Sequence, residues 1–500
     1  MESSSLHTYL PLIFLLLLLT LRLFSSWLKQ PNNLPPSPPS IPIIGHLHLI
    51  KFPLHRTFHS LSQSYGPVFS LRLGSRRVIV VSSAEAAEEC CTKNDVALAN
   101  RPSSSASKRI GYDSTILVFA AYGDHWRNLR RICTLEIFSS ARLASFLPIR
   151  RDEIRRLLHN LNKRTSSSGD GFTKVELRSM FSEMTFNILL RMLTGKRYHW
   201  EDVTDAEEAS SFRGMTSELL KYVDGVYPGD FSSILRLLFT GYEKNVSRLS
   251  KRSDQFLQKL IEEHRGSPKT GGSRENRDTV LDHLLLLQET QPEYYTDEII
   301  KGLILVMLIA GSDTTTSTME RAMSLLLRHP HSLKRATEEL DCVIGQEHLI
   351  DETDITKLPY LQNIVSETLR LKPPAPLLVP HMSSEDCTIG SYNIPCQTIV
   401  FINAWTIHRD PKLWDDPASF KPERFENVGD GQCKFLPFGV GRRACPGANM
   451  ARRMINLALG SLIQCFEWKL VNKEGMNNPK VVPLEAMCKA REIMARIVEQ

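Results

Sequence analysis

The chain has 500 residues, with 61 lysines and arginines against 55 aspartates and glutamates. A net charge of +6 without any block of like charges gives no nucleic-acid-binding tail, and the ordinary apolar and charged fractions exclude wholesale disorder and a multi-span membrane protein. Ten cysteines with no C-x-x-C pair are too sparse for a disulfide scaffold and suit reduced thiols in a cytosol-facing body.

The first element is the apolar run from Leu10 to Leu28, whose centre from Leu12 to Leu19 carries no polar residue. Such a run is about long enough to cross a hydrocarbon core of ~30 Å as a helix. No positive charge precedes it, no small-x-small cleavage site follows, and Arg22 and Lys29 lie at its far end. That pattern predicts an uncleaved single-pass anchor over 10–28, with residues 1–9 lumenal and the body cytosolic. On this reading the sequon Asn245-Val246-Ser247 stays unused. Residues 29–45 follow as a proline-rich hinge, stiff through its fixed φ angles, and residues 46–500 are left as one catalytic domain.

No internal repeat is visible. Residues 65–83 read as two strands around a Gly-Ser turn. From about 125 to 330 the periodicity is mostly helical, interrupted by polar loops at 164–172 and 265–278. Trp126-Arg127-Asn128-Leu129-Arg130 alone is an amphipathic helix with an aromatic anchor. Thr296-Asp297-Glu298 is a helix start with a cap and an acidic first turn, and that helix should run to about Arg328, before Pro330. It is nearly all apolar from Ile299 to Ala310, so it is predicted to be buried. In its middle stands Ala310-Gly311-Ser312-Asp313-Thr314-Thr315. A buried carboxylate beside hydroxyls is costly unless paired or used; the same residues would equally serve a bend made by hydroxyls bonding back to the helix.

Glu367 and Arg370 stand at i, i+3, a spacing that usually means a surface ion pair of little value. Short strand-like runs near 387–402 lead into a meander rich in proline and aromatics, through Phe420-Lys421-Pro422-Glu423-Arg424-Phe425 to residue 437. Then comes Phe438-Gly439-Val440-Gly441-Arg442-Arg443-Ala444-Cys445-Pro446-Gly447, and a final helix. Pro446 suits the first helical position, which would put Cys445 at a helix N-terminus where a thiolate is favoured. Gly439, Gly441 and Gly447 permit tight backbone beside a flat ligand. A thiolate so placed is suited to ligating haem iron. The spacing F-x-x-G-x-R-x-C-x-G would arise by chance in such a chain on the order of 10⁻⁴ times, which sets aside a merely buried cysteine.

This decamer resembles the haem-binding signature of the cytochrome P-450 monooxygenases, and the resemblance extends over the whole chain with the motifs in the expected order. It implies a mainly α fold with small β-sheets behind a single N-terminal transmembrane helix. It implies haem b with Cys445 as the axial iron ligand. Trp126, Arg130, Arg443 and His381 would contact the haem propionates, and Phe438 would pack near the thiolate, with Gly447 and the Ala310–Gly311 segment against the cofactor. Gly311 would open a groove for O2, while Asp313 and Thr314 relay protons so that O–O cleavage yields water. Glu367, Arg370 and Arg424 would form a buried structural network.

By the same resemblance an NADPH-cytochrome reductase delivers electrons, docking near Cys445, where Arg127, Arg131, Lys434 and Arg442 are candidate contacts. The family's substrate positions fall on Tyr112, Met307, Ala310, Ala375, Leu378 and Leu484. These are nearly all apolar and suit a flat aromatic or terpenoid substrate. The segments Ala404–Pro411 and Phe435–Phe438 are similar to those of plant microsomal members, which sit in the endoplasmic reticulum membrane, and Met192–Tyr198 and Arg130–Leu143 resemble the isoflavone 2′- and 3′-hydroxylase group among them. Lys372 departs from the histidine that many plant members carry there. Hydroxylation of an aromatic or phenolic plant specialised metabolite is the leading expectation; oxidative ring closure or methylenedioxy-bridge formation on a phenolic substrate such as a lignan or benzophenone, or hydroxylation of a terpenoid, is the alternative. Oxygen-independent hydroperoxide rearrangement is disfavoured by the Asp313-Thr314 pair, and a sensor without turnover would need no oxygen groove.

Overall fold

The computed structural model describes Phe14 and residues 33–166, 171–197, 212, 214–222, 227–232, 236, 240–266, 279–426, 433–471 and 483–498. The expected anchor (Phe14 apart), the start of the hinge, Tyr198 and most of the two polar loops lie outside these residues. Fifteen α-helices and nine strands occur among those described. The first helices are α1 (Leu54–Tyr65), α2 (Ala84–Cys91), α3 (Ser105–Ile110), α4 (Asp124–Ile132), α5 (Ser140–Ser145), α6 (Leu147–Ser166) and α7 (Leu177–Thr194). After them come α8 (Thr240–Gly266), α9 (Val280–Thr290), α10 (Asp297–Arg328), α11 (Pro330–Val343) and α12 (Pro359–Leu371). The last are α13 (Ala404–Ile407), α14 (Ala448–Cys465) and α15 (Ile493–Val498).

The alternation in residues 65–83 yields β1 (Val68–Leu73) and β2 (Arg76–Val81), joined at Gly74, which takes a left-handed φ of 56°. Short strands β4 (His381–Met382) and β7 (Ile399–Ile402) complete a four-stranded sheet in the order β1-β2-β7-β4. Only the β2–β7 pairing is parallel, with Val78 opposite Ile399. β5 (Cys387–Ile389) and β6 (Tyr392–Ile394) form a hairpin. The chain does not end in the helix after Cys445. Two strands missed in the sequence, β8 (Phe466–Leu470) and β9 (Glu485–Ala490), pair with each other, and β9 also pairs with β3 (Thr173–Glu176), ahead of α15.

The prolines of the hinge are no free spacer. Ser70 N–H donates to Pro36 O at 2.8 Å, His46 Nε2 lies 2.8 Å from Pro38 O, and Gly45 bridges Leu73. Residues 36–45 are thereby stitched along β1.

The long helix α10 is the axle of the fold. Thr296 caps it, accepting from Ile299 N–H, and His329 ends it just before Pro330. At 1.5 Å per residue its 32 residues span about 48 Å. It is apolar enough to cross a membrane, but 67% of its most apolar window is buried inside the protein. It packs against α7 through a Thr185–Thr316 hydroxyl pair 2.9 Å apart, and against α14 in the main core. Between α10 and the loop that precedes α14 lies a cavity of about 300 Å³.

Candidate active site

The segment 437–447 forms the floor. Gly439 and Gly441 adopt φ of 66° and 76°, the left-handed region that glycine tolerates. The chain folds back so that Cys445 N–H donates to Phe438 O at 2.8 Å and Ala444 N–H to Gly441 O at 3.0 Å. The helix then begins at Ala448 with Gly447 as its cap, so Pro446 is not its first residue. Cys445 therefore stands outside the helix, although its thiol faces the cavity wall. Burial pushes the Cys445 thiol up, while the Gly447 N–H and Arg130 pull it back. The protein alone does not impose the thiolate that the helix-terminus argument expected; a metal at the sulfur would. Gly441 serves the protein rather than a ligand: a Cβ there would meet Asp95 Oδ1 at 2.6 Å and Cys91 O at 2.7 Å.

The roof is α10, which presents Leu303, Val306, Met307, Ala310, Gly311 and Thr314. Thr314 Oγ1 donates to Ala310 O at 2.6 Å, so the back-bonded hydroxyl and the cavity-facing hydroxyl are one group. Gly311 does not leave an open groove. The space beside it is taken by Leu189 of α7, whose Cδ1 would lie 2.9 Å from an added Cβ. Asp313 points away from the cavity, where Arg178 Nη2 reaches its Oδ1 at 3.1 Å while Nη1 holds Glu320 at 2.6 Å. The side walls are Leu117, Val118, Ala375, Leu378 and Val379. Tyr112 and Leu484 do not reach the wall. The Tyr112 hydroxyl donates to Asp254 at 2.8 Å, and Leu484 is buried with its N–H on Glu320.

One rim of the cavity is cationic. Arg443 donates to Ala99 O and Ala120 O at 2.6 Å each and lies 4.5 Å above the Trp126 ring. Arg130 donates to Ala444 O at 2.5 Å. His381 Nδ1 sits 2.8 Å from Leu98 O. Arg101, which the sequence reading did not single out, joins them through Val379 O and Pro380 O at 2.7 and 2.8 Å. Those partners are 278 and 279 residues away in sequence, so no local spacing marks it. Burial lowers Arg101 to about 9 and Arg443 to about 10; burial and then Arg101 hold His381 at about 3. No carboxylate lines this cavity among the described residues. Two buried donors on the rim, Arg101 Nε and Trp126 Nε1, have no partner there. Uncompensated cations and idle donors at the edge of a largely apolar cavity, with the Cys445 thiol in its floor and Cys91 and Cys133 elsewhere in the lining, fit a planar dianionic metal cofactor.

Beneath the floor, Glu367 and Arg370 are wholly buried, not a surface pair. Arg370 Nε and Nη2 donate to the two Glu367 oxygens at 2.6 and 2.8 Å, and Arg424 Nε adds a third contact at 3.1 Å. Of the four basic residues considered for docking, Arg127 pairs with Asp124, Arg131 with Asn128 and Arg442 with Asp95, while Lys434 lies 5.6 Å above the Trp414 ring.

A helical fold with small sheets, a cysteine loop beneath a long central helix and a cationic rim together define a haem-thiolate oxidoreductase. The chain belongs to the cytochrome P450 family, whose model matches residues 35–494. It is 55% identical to cytochrome P450 81E8 of Medicago truncatula, over 97% of either chain. It is 54% identical to the isoflavone 3′-hydroxylase of that plant, over 93% of this chain and 94% of the relative. It is 51% identical to the (+)-piperitol/(+)-sesamin synthase of Sesamum radiatum, over 100% and 99%. A zebra fish cytochrome P450 structure with abiraterone superposes with a TM-score of 0.74 at 25% identity, covering 88% of this chain and 99% of that one. The enzyme is thus a monooxygenase using haem, O2 and NADPH-derived electrons delivered by a reductase.

Proposed function

We propose that this enzyme hydroxylates a flat phenolic plant metabolite of the isoflavone type. The observation that carries the reading is the cavity wall. Leu117, Val118, Leu189, Leu303, Val306, Met307, Ala310, Ala375, Leu378 and Val379 are all apolar, and among the described residues hydroxyls enter only from threonines of α10. Such a slot holds an aromatic plane by dispersion and desolvation and leaves its phenols free. Relatives named as isoflavone 3′- and 2′-hydroxylases, at 54% and 51% identity, support the class.

In this reading Cys445 ligates the haem iron. Trp126, Arg130, His381, Arg443 and Arg101 hold the propionates, with Phe438 and Gly447 against the ring. Haem supplies O2 activation when bound. Thr314 Oγ1 is the proton donor inside the cavity, and Asp313 is a carboxylate outside the wall, held by Arg178. Glu367, Arg370 and Arg424 brace the loop below. Met307, Ala310, Ala375 and Leu378 touch the substrate. Residues 10–28 anchor the chain in the endoplasmic reticulum membrane with the domain on the cytosolic side, where the reductase docks.

A second reading, methylenedioxy-bridge formation, is favoured by the 51% identity to the piperitol/sesamin synthase. The test is product mass. Microsomes holding this chain and a plant reductase are given isoflavones, flavonoids and lignans. Gain of one oxygen on an isoflavone is expected. Loss of two hydrogens on a lignan without oxygen gain would replace hydroxylation by bridging, and turnover of neither class would overturn both.

A further inference from the structure

His408 follows α13 and is completely buried. The residue meets the two halves of the thiol-loop support at once, one through its backbone carbonyl and one through its ring. Its carbonyl accepts from Arg370 Nη1 at 2.6 Å, the same guanidinium that clamps Glu367. Its Nε2 accepts the backbone N–H of Leu436 at 2.8 Å. Leu436 O in turn accepts from Gly439 N–H at 3.2 Å, and next to Gly439 lies Phe438, whose carbonyl holds Cys445 N–H. A continuous path of hydrogen bonds and short backbone steps thus runs from Glu367 through Arg370 and His408 to Cys445.

We infer that His408 is a positioning residue for the Cys445 loop, a fixed acceptor that ties the Glu367–Arg370 pair to the backbone carrying the thiol; this rests on Cys445 being the iron ligand. The tautomer follows from the bond. An N–H pointing at Nε2 requires a lone pair there, so the ring proton is on Nδ1. Nδ1 is itself buried with no partner among the described residues. A histidine that merely filled core volume beside Phe435, 5.6 Å away, would be replaceable by leucine and would spare the fold that idle donor. What a hydrocarbon does not provide is the acceptor for Leu436. Burial, then Arg409 and Arg370, hold the imidazole at about 3, so the lone pair persists at any working pH.

The test uses the full-length holoenzyme in H408L, H408Q and C445A forms. Two signals are read: deuterium exchange at the Leu436 amide, and the share of the ferrous carbonyl spectrum that is thiolate-ligated. In H408L the amide should exchange roughly tenfold faster or more, as a buried N–H without its acceptor does, and the thiolate share should fall. H408Q, whose amide oxygen replaces the acceptor, should recover both. Wild-type exchange and spectrum in H408L would overturn the inference. If H408L does not fold, H408Q decides: recovery supports the role and equal failure overturns it. C445A tests the ligand separately. It should abolish the thiolate band whatever the Leu436 amide does, and survival of that band would remove the ligand reading on which the inference rests.

Discussion

Gly311 of α10 and Leu189 of α7 meet so closely that a methyl group has no room between them: the added Cβ would lie 2.9 Å from Leu189 Cδ1. Leu189 is itself a cavity residue, and its other face is packed in the core. Displacement of its side chain is easiest into the cavity. G311A should therefore cost no more than about 1–3 kcal/mol of stability, the usual range for overpacking. Its larger effect should be on substrate binding, with KM raised several-fold. L189A in the same chain should restore KM. A double variant that binds as poorly as G311A would show that the glycine matters for some other reason.

Lys301 is a charge buried in the apolar run of α10. Its Nζ donates to Asp254 Oδ1 at 2.5 Å, the oxygen that also accepts from Tyr112. The Lys301 side chain is 9% exposed and that of Asp254 is 40% exposed. The two ends of the pair are thus unequal. D254N strands an ammonium in the core, a loss of about 3 kcal/mol or more. K301M leaves a carboxylate that water already reaches, and should cost under about 1 kcal/mol. Tyr112, Asp113 and Ser114 all hold positive φ, so the segment is strained and this knot keeps it down. Urea unfolding of both variants checks the order, and equal losses would contradict the asymmetry.

The buried carboxylate Glu367 gives a second ordered pair. Arg370 grips it with two nitrogens and is fully buried; Arg424 uses one and is slightly exposed. Lysine lacks the planar fork. R370K should lose most haem-loaded protein, in line with about 3–5 kcal/mol for a broken buried pair. R424K should keep a substantial fraction. Haem content per folded protein is the measurement, and the reverse order would mean that Arg424 holds the network.

Thr314 Oγ1 bonds the Ala310 carbonyl and faces the cavity. T314A should consume NADPH and O2 but release peroxide in place of product, by about tenfold or more in the ratio, a typical scale for a lost proton donor. T314S should recover coupling. Normal coupling in T314A would remove the hydroxyl from the proton path.

What was legible in the sequence is what is local. The Phe438–Gly447 loop carries its own turn residues and its thiol within ten positions, so spacing alone defined it. The strands around Gly74 and the cap at Thr296 were legible for the same reason. Asp313 misled because its partner Arg178 is 135 residues away, and the helix pattern does not say which side of α10 faces the cavity. Tyr112 misled likewise, since Asp254 lies 142 residues on. Arg101 and His408 were invisible as site residues because their roles consist of long-range bonds to backbone groups, which leave no side-chain pattern to read. The strand β9 was missed because it pairs with β3 more than 300 residues back, and β8 because its one partner is β9.

The buried histidine makes a last prediction, on acid stability. His408 is faced by Arg409 and Arg370, and burial is the larger cause of its depressed value of about 3 against 6.5 for the free side chain. The folded protein keeps the ring neutral through the mildly acidic range, where the unfolded chain takes up a proton. Its contribution is therefore complete above the unfolded value and is lost as pH falls from 6.5 toward 3, by up to ~1.4 kcal/mol per pH unit. His381 carries the same shift and adds a parallel loss. H408Q removes the proton that His408 takes up on unfolding. Its unfolding free energy, measured in urea between about pH 7 and about pH 5, should fall less steeply than that of the wild type by roughly that slope. Parallel curves for the two proteins would mean that His408 is already protonated in the folded state, and that Leu436 does not use its lone pair.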